Sequence, residues 1–141
     1  MRRESGFTLI EIMIVIAILG SLMAIAIPSY NEYLMKGRIT EAITALSGMQ
    51  SRLEQHFLDN RTYSGACAAG SMAPQPANTN YFDFSCSNLA AGTYQVDATG
   101  KSSMTGFTYR ITQLGKSTVS VGGGWSGAGA TCFVVNKAGG C

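Results

Sequence analysis

The stretch FTLIEIMIVIAILGSLMAIAIP, residues 7–28, decides how this chain is organised. Glu11 is its one charged residue, and Pro28 closes it. A helix needs about 20 apolar residues to cross the hydrocarbon core of a bilayer, and apolar runs of this length are rare inside soluble domains. The run therefore predicts a membrane-spanning helix, and a buried core helix is the weaker alternative.

An ordinary secretory signal peptide is a second alternative, because Arg2 and Arg3 give the chain a basic start. Such a signal has a short apolar core followed by small residues at the cleavage site. Here the run is longer, and residues 24–28 fit a cleavage site poorly. The small residues precede the run instead, at Ser5 and Gly6. The two arginines favour a cytoplasmic N-terminus, which leaves the rest of the chain in the periplasm.

The residues MRRESG followed by FTLIE resemble the class III leader and the first mature residues of type IV pilins and pseudopilins. The resemblance implies that a prepilin peptidase cuts after Gly6 and N-methylates Phe7, so that the apolar segment is retained. It implies that Glu11 attracts the N-terminal amine of an adjacent subunit during assembly. It also implies that the helix can extend between Gly20 and Pro28, two residues that weaken a helix by roughly 1 and 3 kcal/mol relative to Ala.

After Pro28 the apolar residues recur every three or four positions, which predicts an amphipathic helix over residues 29–61. We predict that the single histidine, His56, lies on the surface of this helix. The apolar face consists of Ile39, Ala42, Ile43, Leu46, Met49, Leu53 and Phe57.

Residues 62–141 are rich in Gly, Ser, Thr and Ala and predict a globular head made of a loop, an antiparallel sheet and a C-terminal disulfide loop. Residues 81–84 fit one short strand, and the alternation farther along the chain predicts three or four short antiparallel strands. Together with the long helix this is an α+β fold, and the resemblance implies the type IV pilin fold. The inward-facing positions are predicted to be Tyr94, Val96 and Ala98; Phe107, Tyr109 and Ile111; Val119 and Val121; and Phe133 and Val135.

All four cysteines lie in the head, and an even number in a small exported domain favours disulfides. The close C-x-x-C pairs typical of zinc sites are absent from the sequence. Of the three possible pairings we predict Cys67–Cys86, across the loop between helix and sheet, and Cys132–Cys141. The second pairing would match the C-terminal disulfide region of many pilins.

The sequence contains no catalytic pair and no metal or cofactor motif, so we expect neither an enzyme nor a cofactor. A net charge of +2 does not indicate a dedicated nucleic-acid binder. The predicted organisation is a leader over residues 1–6, a transmembrane and filament-core helix over 7–28, an amphipathic helix over 29–61 and a head over 62–141.

The resemblance implies a structural subunit of a type IV pilus that supports adhesion, twitching motility or DNA uptake. The head is similar to small disulfide-bonded type IVa pilins described as minor pilins. The similarity rests on Thr62, Tyr63, Tyr81, Phe82, Phe84, Trp125, Cys132 and Phe133.

The resemblance also implies the partners and the location. The partners are other pilin subunits, the prepilin peptidase, the inner-membrane assembly machinery and, before assembly, the lipid bilayer. The chain would span the inner membrane once and later lie in an extracellular pilus. A type II secretion pseudopilin and a DNA-binding pilin receptor remain alternatives. The basic residues of the receptor alternative are Arg61, Lys101, Arg110, Lys116 and Lys137.

Overall fold

The computed structural model describes residues 6–141. The predictions for the leader, including those for Arg2 and Arg3, therefore lie largely outside the described residues. The described chain divides into two compact units, one ending at Leu34 and the other beginning at Met35. Helix α1, Leu9–Asn60, contributes residues to both units.

The first unit is the apolar part of α1. An 18-residue window of the helix has a mean hydropathy of 2.7 and none of it is buried, so by length and composition it can cross a membrane. The helix passes through Gly20 and Pro28 without a break. The Ser21 hydroxyl donates to the Ile18 carbonyl at 2.7 Å, and Ser29 donates to Ile25 at 3.3 Å.

The second unit is built from the rest of α1 and a four-stranded antiparallel sheet with the order β1-β2-β3-β4. The strands are β1 Phe82–Ser87, β2 Gln95–Gly100, β3 Thr108–Thr112 and β4 Gly115–Ser120, with a short 3-10 helix, Ser102–Met104, between β2 and β3. The predicted α+β class is thus confirmed, and each pair of neighbouring strands is adjacent in sequence.

The core lies between one face of α1 and one face of the sheet. Helix residues Ile39, Ala42, Leu46, Met49 and Leu53 are buried, as their spacing predicted. The predicted inward positions in β2 and β3, and in the residue before each strand, are buried too: Tyr94, Val96, Ala98, Phe107, Tyr109 and Ile111. Among residues 6–141, every buried position falls between Ile39 and Val134. The second unit therefore contains the whole described core.

The predicted phase of β4 was wrong. Val119 is exposed, whereas Thr118 is completely buried and pairs with Tyr109. The register between β3 and β4 shifts between Thr108 and Tyr109. A polar side chain can occupy the inner face here because its hydroxyl is fully used: Thr118 Oγ1 donates to the Cys132 carbonyl at 2.7 Å and accepts from the Val134 N–H at 2.9 Å.

The predicted strand at Phe133 and Val135 was also wrong. Phe133 and Val134 are buried, but their segment adopts no strand conformation. The Val134 N–H bonds the Thr118 hydroxyl, and the Val135 N–H bonds the Gly140 carbonyl at 2.9 Å. Because one N–H group donates to a side chain and the other donates within a local turn, neither forms a backbone hydrogen-bond ladder with β4.

His56 is buried rather than on the helix surface, which corrects the prediction made from its position in the helix. Its Nε2 lies 3.5 Å from the Ser64 carbonyl, and its Nδ1 lies 3.4 Å from the Asn60 side-chain amide. The loop after the helix turns back over the ring, and this tertiary contact, which the sequence does not show, helps to bury His56.

Candidate functional site

The first candidate site is the apolar surface of α1 in the first unit. Its large side chains are exposed along the entire stretch, from Phe7, at 79% exposure, to Ile27. The predicted processing residues Gly6 and Phe7 are exposed and precede the helix. A continuous apolar surface of this size is far larger than a soluble monomer normally presents, and it marks a membrane or protein contact.

Glu11 lies in the first turn of this helix and is exposed. Its backbone N–H donates to the carbonyl of Thr8 at 3.1 Å and to the Thr8 hydroxyl at 3.3 Å. Thr8 thus caps the helix, a role that our sequence reasoning missed although the T-x-x-E pattern of a capping box signals it. Within residues 6–141 no cationic group lies within 4 Å of the Glu11 carboxylate. The helix N-terminus favours a negative charge at this position.

The second candidate site is the charged surface of the head. Residues 62–141 contain four basic and two acidic residues, and both acids are paired. Lys101 Nζ lies 2.6 Å from Asp83 Oδ1. The Arg110 guanidinium donates to both Asp97 oxygens, at 2.6 and 3.0 Å, and the hydrogen bonds to this carboxylate raise the pKa of Arg110. These pairs compensate two of the four positive charges.

Lys116 and Lys137 have no carboxylate within 4 Å among the described residues. The Lys116 ammonium lies 5.6 Å from the centre of the Phe133 ring. Phe133 and Lys137 both belong to the loop that Cys132 and Cys141 close. The fold therefore brings one uncompensated lysine of β4 against the C-terminal loop that contains the other.

The structure pairs the cysteines as predicted, Cys67 with Cys86 and Cys132 with Cys141. The first disulfide joins the loop after α1 to β1, and the second closes the C-terminal loop. Trp125, in the segment that follows β4, packs edge-on against Phe107 at 5.4 Å between ring centres and is buried.

One surface depression of the head, with a volume of about 450 Å³, lies beside the β3–β4 turn. Tyr94 is the one titratable residue among those that line it. Burial raises the pKa of Tyr94, and the nearby Glu54 carboxylate, 3.5 Å from the phenol oxygen, adds to the shift. The Tyr94 phenol stays protonated and donates a hydrogen bond to the Glu54 carboxylate. This hydrogen bond has a structural role, because it links the residue that precedes β2 to α1.

Two family models match the chain. Residues 1–27 match the prokaryotic N-terminal methylation motif. Residues 28–109, more than half of the chain, match the family described as "Type IV minor pilin ComP, DNA uptake sequence receptor". The first match contains the apolar run up to Ile27, with Glu11, and the second extends from Pro28 in α1 to the beginning of β3.

Proteins of three bacteria illustrate the similarity. A fimbrial protein of Pseudomonas aeruginosa is 32% identical over 121 residues, which cover 85% of this chain and 74% of that protein. The type IV major fimbrial protein FimA of Dichelobacter nodosus is 41% identical over 68 residues, 48% of this chain and 42% of its own length. A fimbrial protein of Neisseria meningitidis serogroup B is 42% identical over 62 residues, 44% of this chain and 36% of its own length. With a methylation motif, an exposed apolar helix and a helix-on-sheet head, the chain belongs to the type IV pilins, the structural subunits of type IV pili.

Proposed function

We propose that this subunit enters the inner membrane with its head in the periplasm and polymerises through the apolar surface of α1. The observation that supports this is the exposed apolar stretch next to a head that contains its own core. The leader, residues 1–6, is removed by the prepilin peptidase, and residues 7–28 form first the membrane span and then the filament core. Arg2 and Arg3 keep the N-terminus cytoplasmic before the cut. The membrane assembly machinery then transfers the subunit to the growing pilus.

Glu11 sets the register of each incoming subunit in this proposal. Cleavage after Gly6 creates a positive amine on Phe7. When the helix moves from the membrane boundary into a filament core, an unpaired charge costs several kcal/mol, so the amine and the carboxylate gain most by pairing. Pairing between neighbouring copies is a heterologous contact that does not close, which generates a helical filament. Within the described residues the Glu11 carboxylate has no cationic partner, so the chain leaves it available for a neighbour.

The test replaces Glu11→Gln and measures this chain in sheared pili by immunoblot. Insertion in the membrane and folding of the head should be unchanged, while incorporation falls. Glu41→Gln is the matched control, because Glu41 is an exposed acid on the same helix outside the apolar run. If the chain is a minor subunit, its own incorporation should fall even where pili persist. Normal incorporation of the Glu11→Gln chain would refute the role of Glu11.

DNA binding by the head is the second candidate function. It is favoured by the match of residues 28–109 to a family described as a DNA uptake sequence receptor, and by the head's excess of basic over acidic residues. Lysines bind DNA through phosphates and release counterions, so binding weakens as salt rises. Lys116 and Lys137 are the better candidates, because Lys101 and Arg110 already face carboxylates. Phe133 is buried and is not available for stacking with a base.

The experiment measures DNA binding by the head, residues 35–141, at several salt concentrations. This fragment contains all the described buried residues, so it retains its core. Each phosphate contact that is lost should lower the slope of log affinity against log salt by about one, so Lys116→Gln with Lys137→Gln should lower it by about two. Lys101→Gln removes the same charge from a compensated site and serves as the control. Binding that is equally weakened by all three substitutions, or not by any, would contradict a specific role for the two lysines.

The pseudopilin alternative lacks support from the relatives reported above, which are pilus proteins. Among residues 6–141 the structure also contains no cluster of three or more residues able to hold a metal ion. Bound calcium in the purified chain would revive this alternative.

A further inference from the structure

Two tyrosines of the first unit differ from the other four. Tyr30 and Tyr33 are 62% and 73% exposed, whereas the remaining tyrosines pack within the head. Tyr63 and Tyr94 donate to Glu54, Tyr109 donates to the Val134 carbonyl, and Tyr81 lies under the Arg38 guanidinium. Tyr30 and Tyr33 are therefore the two exposed tyrosines among the described residues.

Their position along α1 is specific. They stand three residues apart, which places them as neighbours on the helix surface. They follow directly on the end of the apolar run at Ile27 and Pro28. From Leu9 to Tyr30 the helix rises about 32 Å at 1.5 Å per residue, close to the thickness of a hydrocarbon core of about 30 Å. When the first turn lies at one boundary of that core, the two phenols reach the opposite boundary.

Tyrosine suits that boundary because its ring is apolar and its hydroxyl is polar, and tyrosines are enriched at headgroup level in membrane proteins. We propose that Tyr30 and Tyr33 form an interfacial anchor that binds the lipid headgroup region and fixes the depth of the subunit in the bilayer before assembly. The proposal rests on membrane insertion of the apolar helix and adds a lipid contact to it. The continuity of the pair with the apolar surface favours lipid as the occupant over a second copy of the chain.

The depth of each position can be measured in the full chain, reconstituted in phosphatidylcholine vesicles with bromines at different depths. In a Trp125→Phe background, Tyr30→Trp and Tyr33→Trp each introduce a single fluorophore, and Ile18→Trp marks the middle of the apolar run. The Tyr30→Trp and Tyr33→Trp chains should be quenched most by bromines near the headgroups, and the Ile18→Trp chain by the deepest bromines. Absence of quenching in the Ile18→Trp chain would overturn insertion and the anchor together. Deep quenching at Ile18 without headgroup quenching at the two tyrosine positions would overturn the anchor alone.

Anchoring is tested by removing both rings. With Ile18→Trp as the probe, Tyr30→Ala plus Tyr33→Ala should move the depth of maximal quenching by roughly half a helical turn, about 3 Å. Leu58→Ala is the matched control, because Leu58 is similarly exposed, at 66%, but lies outside the apolar run. An unchanged depth would overturn the proposal. If the depth is unchanged while incorporation into pili falls, the two tyrosines contact a neighbouring copy instead.

Discussion

Replacing Thr118 by Val should loosen the C-terminal loop and destabilise the head. The substitution keeps the shape of a completely buried side chain and removes its hydroxyl. It leaves the Cys132 carbonyl and the Val134 N–H without the partner that they share. An unsatisfied buried polar group costs about 1–3 kcal/mol, which applies to the Val134 N–H, and the part-buried Cys132 carbonyl costs about 1 kcal/mol. No cavity is created, so the free energy of unfolding should fall by about 2–4 kcal/mol in all. For a domain of this size that loss lowers the melting temperature by about 10–20 °C.

The assay is thermal unfolding of the head, residues 35–141, with both disulfides intact. Thr99→Val is the control, because Thr99 is exposed on β2 and its hydroxyl makes no hydrogen bond within the described residues. Limited proteolysis adds a local readout, since a loop that is no longer bonded to Thr118 should be cut faster within residues 132–141. Equal melting temperatures of the Thr118→Val head and the Thr99→Val head would refute the argument that the Thr118 hydroxyl fixes the loop.

Three further outcomes are expected. Mass spectrometry of filament-derived protein should find a chain that begins with methylated Phe7, whereas a start near Pro28 would identify an ordinary signal peptide. Non-reducing peptide mapping of exported protein should recover both predicted disulfides, and four free thiols would contradict them. Burial raises the pKa of Tyr94 above its ordinary value near 10, so the folded head favours the neutral phenol and loses stability as the pH rises above about 10. Tyr94→Phe should reduce that loss, and an unchanged pH dependence of unfolding would contradict it.

The sequence predicted those parts of the fold in which side-chain period alone decides the outcome. The helix face from Ile39 to Leu53 and the inner face of β2 and β3 repeat apolar residues at the spacing of their backbone. The same reasoning chose Val119 over Thr118 because it ranks valine as inward and threonine as outward. It had no information on the register shift beside Tyr109 or on the two backbone groups that the Thr118 hydroxyl satisfies.

For the candidate sites too, the sequence predicts what depends on neighbouring residues and not what depends on tertiary contacts. Glu11 is a candidate that its neighbours in sequence predict, because a lone carboxylate in an apolar run is informative wherever the helix lies. The four basic residues of the head look scattered in the sequence, and their pairing depends on strand register. Arg110 faces Asp97 because β2 and β3 align these two positions, while Lys116 in β4 approaches Phe133, a residue 17 positions farther along the chain. Within residues 6–141, Lys101 and Arg110 are paired with carboxylates in the folded head, whereas Lys116 and Lys137 are not. The sequence alone does not distinguish the two paired residues from the two unpaired ones.

The apolar stretch of α1 and the core of the head lie in different units of the chain, so substitutions in one need not affect the other. Every described buried residue lies between Ile39 and Val134, so the proposed exchange of lipid for neighbouring subunits around the apolar stretch would remove no core contact from the head. Substitutions at Lys116 or Lys137 should therefore change DNA binding and leave polymerisation unaffected. Glu11→Gln should reduce polymerisation and leave DNA binding by the head unaffected. Because the two sites share no described contact, their effects on free energy should add, as is usual for distant sites. A chain with all three substitutions should show the sum of the two defects, and a deviation from that sum would mean that the head surface takes part in assembly.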